Sequence, residues 1–402
     1  MIKKATLSLI LMFIISILIA PSHNILYANT IDYDAEAVFL LETNTGQVVY
    51  ENNSEEPMAP ASITKIMTLV LALEALEEEE LDLEEKVTIS ENARIPFDGT
   101  QSVMGFDRVG QEVKLEDILT GIAVVSANDG CLALAEHMHG SVNSFVNAMN
   151  EKADEIGLDN TSFANPHGLD DPDQYMSAKD VAFLSKYAIN NTPKILELES
   201  IPEFTFNDIT QSNRNLLLPD KRYEYEGADG LKTGRTQDSG YSFVGTAERG
   251  DMRLVAVVMK APDEPTRFEN AKNLLDYGFD NYQKHNIYEQ GSEIGEAPVV
   301  EGTERFVSLN TSKDLSVISK ADDTSDFEEN LVHKEDIQAP VNKGEILGEL
   351  EIYEDDSLIG SVDLEAAEDI DELGFFGKIF RGISNFFSGI WNTVTEFISN
   401  LF

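Results

Sequence analysis

Cysteine is almost missing from this chain of 402 residues, and so is positive charge. The one thiol, Cys131, excludes an intrachain disulfide; it falls in the apolar run Cys131-Leu132-Ala133-Leu134-Ala135, where a free cysteine behaves as core. Lys and Arg number 29 against 73 Asp and Glu, a net charge of −44, so nothing here could neutralise a phosphate backbone and nucleic acid is excluded as a partner. Such a surface suits a salty or alkaline exterior. Histidine is sparse as well: His137 and His139, two of six, are two apart and point to different helix faces, so neither a metal site nor a cofactor is expected. Long apolar runs are also lacking, for the stretch 7–20 spans only fourteen residues and is too short for a comfortable membrane span.

What that stretch has around it is informative. Lys3 and Lys4 precede it and Pro21, then polar residues and Ala28, follow, which predicts a secretory signal over 1–28 and an exported mature chain. Residues 37–41 and 47–50 read as strands flanking the turn Thr43-Asn44-Thr45-Gly46. Helical spacing follows over 115–125, 131–139, 142–156 and 178–189, the last capped by Ser177. Near the far end of this part, 241–247 and 252–259 predict a hairpin and 267–279 a helix. Strands at both ends with helices between them imply one antiparallel sheet covered by a helical insertion over 29–285. From 286 to 372 the chain turns β-rich and acidic, predicting a small all-β domain. Over 373–402 Phe376, Ile379, Phe380, Ile383, Phe386, Phe387, Ile390, Trp391 and Val394 recur at helical spacing opposite Asn385, Ser388 and Asn392. That pattern predicts an amphipathic helix lying on a membrane surface.

The chemistry gathers around Pro60-Ala61-Ser62-Ile63-Thr64-Lys65. Apolar residues after it fall on every face, so a buried helix is expected with its polar first turn on display. Ser62 and Lys65, three apart, would share a face, close enough for the amine to take the hydroxyl proton. Two further pieces have the same character: Ser126-Ala127-Asn128 in a loop between helices, and Lys232-Thr233-Gly234 leading into a strand.

These three pieces resemble, in order and setting, the S-x-x-K, S-x-N and K-T-G elements of penicillin-recognising serine enzymes. With the export signal and amphipathic tail, nearly the whole chain resembles low-molecular-mass penicillin-binding proteins of the D-alanyl-D-alanine carboxypeptidase type. The Asp229-Gly230 lead-in, the Gly240-Tyr241 strand and Arg267 at the opening of the next helix are similar too. The resemblance implies an α/β (α+β) fold of the serine β-lactamase and transpeptidase kind. It implies Ser62 as nucleophile, Lys65 as base and Ser126 as proton relay. Asn128, Lys232, Thr233, Gly234, Arg235 and Arg267 would bind substrate, with main-chain N–H groups of Ser62 and Arg235 forming the oxyanion hole. Peptidoglycan stem peptides would be substrates and β-lactams acylating inhibitors. Two departures are mild: Arg235 follows the K-T-G glycine, and Gly130 stands where alanine is more usual. A class A β-lactamase would share the motifs but needs a Glu-x-x-x-Asn segment, and residues 165–175 carry aspartates instead. Endopeptidase action on cross-links, or a wall-binding module without catalysis, are the other readings.

Overall fold

Two strands apolar along nearly their whole length decide the central sheet. A computed structural model describes residues 31–321 and 327–379. In it β1 (Ala37–Glu42) is buried at all six positions, and β2 is Val48–Asn52. The other strands are β3 (Ala228–Gly230), β4 (Thr233–Thr236), β5 (Gly240–Arg249) and β6 (Met252–Ala261). The order is β4-β5-β6-β1-β2, with β3 pairing along β5 at the same edge as β4. The two ends of the peptidase part thus meet in mid-sheet, antiparallel, with Leu40 opposite Ala256.

Because β1 and β6 carry apolar residues at successive positions, both faces must be covered. Phe39, Leu41, Val255 and Val257 join the core of the helical layer. On the other face lies α7 (Glu264–Asn281), where Gly278 allows close approach: a Cβ there would sit 2.4 Å from Leu254 Cδ1 and 3.1 Å from Leu40 Cδ2. Each fully buried aliphatic of this kind contributes about 1.5–3 kcal/mol.

The helical layer is α1 (Lys65–Glu77), α2 (Leu115–Val125), α3 (Asn128–His139), α4 (Val142–Ile156), α5 (Ala178–Asn191) and α6 (Lys194–Glu199). α1 runs through the middle of it, buried on nearly every turn from Lys65 to Ala75. α5 starts where Ser177 accepts a hydrogen bond from the Asp180 N–H, as its cap.

Strands follow α7: β7 (Tyr282–Tyr288), β8 (Glu293–Val300), β9 (Phe306–Thr311), β10 (Leu315–Lys320), β11 (Glu328–His333), β12 (Ile337–Gln338), β13 (Ile346–Glu354) and β14 (Ser357–Ala366), and a helical turn opens at residue 375. Six form a sheet ordered β11-β13-β14-β9-β8-β12, and β7 pairs β10. Val307, Leu309, Val317, Leu350, Ile352 and Leu364 fill a separate core. Side chains join the two bodies: Gln47 donates from Nε2 to the Ile318 carbonyl at 2.9 Å and accepts from the Ile318 N–H at 2.6 Å, while Lys284 Nζ donates to the Asp251 carbonyl at 3.1 Å and Asn286 Nδ2 to Asp251 Oδ2 at 3.3 Å. No described helix is long and apolar enough to cross a membrane. The export signal and most of the tail, from residue 380 onward, lie outside the described residues.

Candidate active site

Ser62 does not sit in the α-helix that its neighbours suggest. Ala61–Thr64 form a 3₁₀ turn and the α-helix starts at Lys65, because Ala61 is held at φ +49° and the chain enters too tightly for an α-turn. Two segments press on this turn. Gly168 lies against it so closely that a Cβ would meet the Ala61 carbonyl oxygen at 1.8 Å, and a Cβ on Gly234 would meet the Pro60 oxygen at 2.9 Å. Neither position has room for a side chain.

Lys65 Nζ is the hub of the site. It lies 2.9 Å from Ser62 Oγ, 2.8 Å from Asn128 Oδ1 and 2.5 Å from the His167 carbonyl oxygen. The amine is wholly enclosed, and burial, with Lys232 and Arg214 adding to it, pushes its pKa down to about 7 against the opposing pull of Cys131 and Asp129. In its neutral form the amine has two N–H bonds and one lone pair. Asn128 Oδ1 and the His167 carbonyl can only accept, so they take the two N–H bonds. The lone pair is left to the Ser62 hydroxyl, which is the arrangement a general base requires.

Ser126 ends α2 in the left-handed region, φ +62° and ψ +41°, a conformation rare for a residue with a Cβ. Its hydroxyl is buried without a hydrogen-bond partner among the described residues. Asn128 opens α3 rather than sitting in a loop, and its Nδ2 donates to Gln101 Oε1 at 3.2 Å. Its neighbour Asp129 is fully buried and accepts from the N–H groups of Met104, Gly105 and Gly130 at 2.9–3.0 Å, fixing the strip that carries Gln101.

Lys232 is buried where the chain passes from β3 to β4, its main chain in register with Val244 of β5. Arg267 is the fourth residue of α7 and closes its first turn, because Asp263 caps that helix through the Thr266 N–H. From there Nη1 reaches the Gly234 carbonyl at 3.2 Å. Burial brings its pKa down to about 10, which still leaves it charged. Arg235 is exposed, with its guanidinium 4.9 Å from the Tyr241 ring centre.

Ser62, Ser126, Thr233, Gly234, Arg235 and Arg267 line one cleft of about 380 Å³, and Ser62 and Asn128 share an adjoining one of about 400 Å³. A wider cleft of about 470 Å³, from Asn44 to Ser361, holds none of these groups. One residue and one loop that the motifs did not reveal belong here. Arg214 lines both clefts, held by its Nε donating to the Val125 carbonyl at 3.2 Å. The loop Asn165-Pro166-His167-Gly168 is bound to α1 through Thr68 Oγ1 and the Pro166 carbonyl at 2.6 Å as well as through Lys65. Its Asn-Pro and His-Gly steps were the only signal in sequence.

The family model described as D-alanyl-D-alanine carboxypeptidase matches residues 24–263, and that described as penicillin-binding protein 5, C-terminal domain, matches 282–372. D-alanyl-D-alanine carboxypeptidase DacF of Bacillus subtilis is 36% identical over 357 residues, covering 87% of this chain and 89% of the relative. Among solved structures, penicillin binding protein 5 from Haemophilus influenzae is 36% identical with a TM-score of 0.77, covering 85% of this chain and 98% of that one. The peptidoglycan synthesis regulatory factor PBP3 from Streptococcus pneumoniae is 29% identical with a TM-score of 0.72 over 85% of this chain and all of that one.

Proposed function

Since the chain belongs to the D-alanyl-D-alanine carboxypeptidase family, we propose how its residues divide the work of removing the terminal D-alanine from peptidoglycan stem pentapeptides. It is a serine-type hydrolase of the low-molecular-mass penicillin-binding kind. Ser62 Oγ attacks the carbonyl carbon between the two terminal D-alanines while Lys65 takes its proton. The oxyanion forms against the main-chain N–H groups of Ser62 and Arg235. Ser126, beside Lys232, passes a proton to the departing amine nitrogen, the C–N bond breaks and free D-alanine leaves. An ester to Ser62 remains, which water hydrolyses. Asn128 aligns the peptide, and Lys232, Thr233 and Arg267 hold the terminal carboxylate, which lets so acidic a protein receive an anion.

The observation that carries this reading is the 2.9 Å contact from Ser62 Oγ to a buried amine whose two N–H bonds are already committed. The test is mass spectrometry of a pentapeptide incubated with the protein. Loss of one alanine is expected; an unchanged mass defeats the proposal. β-Lactams should acylate the same hydroxyl, so a fluorescent penicillin should label the native protein and not Ser62→Ala. The aspartate-bearing loop 165–175 supports slow release of that label rather than β-lactamase turnover.

We read residues 1–28 as a signal, 29–285 as the peptidase domain, 286–372 as the small β domain and 373–402 as a membrane-surface helix. The first described turn of that helix supports the last assignment, since Phe375 and Phe376 are 73% and 75% exposed. A chain cut before Gly374 should leave the membrane fraction, and retention there would remove the anchor from the proposal.

A further inference from the structure

We propose that Glu199 is a positioning residue that keeps Lys232 in its ammonium form, and thereby sets how far into alkaline pH the enzyme grips its substrate's carboxylate. This rests on the assignment of Lys232 to that carboxylate. Four cationic side chains crowd the floor of the site: Lys65 from α1, Lys232 beside β4, Arg214 from the segment after the hairpin 203–212, and Arg267 from α7. Acids that could offset them are few, and most are spoken for. Both oxygens of Asp129 accept main-chain N–H groups, and Glu264 pairs with Arg267 at 3.6 Å from its half-exposed place on α7. Glu199 is different.

It ends α6, is 1% exposed, and its Oε1 has no hydrogen-bond partner among the described residues. A carboxyl so placed cannot recover its lost hydration, so a nearby positive charge is what favours its ionised form. The charges that act on it are Lys232 first and Lys65 second. Its place is fixed from behind. The Glu199 carbonyl accepts from Asn213 Nδ2 at 2.8 Å, Asn213 Oδ1 accepts from the Asn215 N–H at 2.8 Å, and Asn215 Nδ2 donates to the Gly230 carbonyl at 3.0 Å. The end of α6 and the strand that delivers Lys232 are therefore tied by two asparagines.

The titration of the pair fits such a role. Burial pushes the Glu199 carboxyl up to about 8, so it gains its charge as the medium becomes alkaline. Burial, with Arg214 and Arg267 adding to it, pushes Lys232 down, and Glu199 opposes that fall. The other titratable groups facing them are Lys65, Asp129 and Cys131. A carboxylate appearing at alkaline pH holds a proton on the neighbouring amine that it would otherwise surrender.

The experiment is the pH dependence of kcat and KM for release of D-alanine from a pentapeptide by the full chain, with Glu199→Gln and Glu199→Leu alongside. Below about pH 7 the variants should match the parent, both having Lys232 charged. Above it their KM should climb earlier, moving the alkaline limb of kcat/KM down by about one pH unit, or about tenfold in KM there, with kcat within about twofold. Superimposable profiles, or an equal loss at every pH, overturn the proposal. So does failure of both variants to reach the parent's thermal unfolding transition, which assigns Glu199 to the fold alone. If the parent itself releases no D-alanine, the carboxypeptidase assignment has failed instead.

Discussion

Acylation by penicillin should follow the titration of one amine. Lys65 must be neutral to accept the Ser62 proton, and burial holds its pKa at about 7 instead of the usual lysine value of 10.5. At pH 7 about half of the molecules then hold the base ready, against roughly 0.03% for an ordinary lysine, a gain worth about 4 kcal/mol. Below the pKa the neutral fraction falls tenfold per unit, so the second-order labelling rate at pH 5 should be about one hundredth of its plateau above pH 8. Lys65→Arg keeps a permanent charge in the same place and should lower labelling by at least about 10³-fold at every pH. Stopped-flow labelling with a fluorescent penicillin from pH 5 to 9 measures both. A rate independent of pH, or an arginine variant that labels at more than a tenth of the parent rate, would refute the base assignment. The same shift has a stability sign. The folded chain drops this proton near pH 7 and the unfolded chain near 10.5, so the unfolded state binds more protons in between. This group's penalty is therefore full below pH 7 and fades as pH rises to 10.5.

Gly168→Ala should damage nucleophile and fold together, since the new methyl meets the Ala61 carbonyl oxygen at 1.8 Å and φ is +86°. A lower melting temperature with labelling slowed more than tenfold is expected, and an unaltered labelling rate would separate the loop from the site. Asp129→Ala strips the acceptors from three main-chain N–H groups and should cost about 2–4 kcal/mol in urea unfolding, with acylation slowed through displacement of Gln101 and Asn128. Arg267→Leu should raise KM for a free-carboxylate peptide at least about tenfold while leaving turnover of a C-terminally amidated analogue little changed. Equal losses on both peptides would point to the Gly234 contact instead.

What was legible in the chain and what was not divides along sequence separation. Ser62 and Lys65 announce each other because the reaction needs both within one turn, and the pairing of β1 with β6 follows from apolar strands at opposite ends of the peptidase part. The 3₁₀ turn under Ser62 could not be read locally, because it is imposed by Gly168 and Gly234 from more than a hundred residues away. Arg267 falls at the fourth helical position rather than the first because Asp263-Glu264-Pro265 is a helix start that apolar periodicity alone passes over. Arg214 and Glu199 carry no motif. Their importance arises from burial beside other charges, and only a folded chain creates that.

The Gln47 clasp bears on where this molecule can work. An amide joins the catalytic body to its stalk through two hydrogen bonds with main-chain groups of Ile318, and neither partner ionises or attracts counterions. Brine that would loosen an ion pair, or alkali that would discharge one, leaves these two bonds intact, whereas the neighbouring contacts of Lys284 and Asn286 with Asp251 involve charge. On a polypeptide carrying a net −44, whose acidic surfaces repel one another whenever ionic strength falls, the uncharged amide is the part of the junction that a change of medium does not touch.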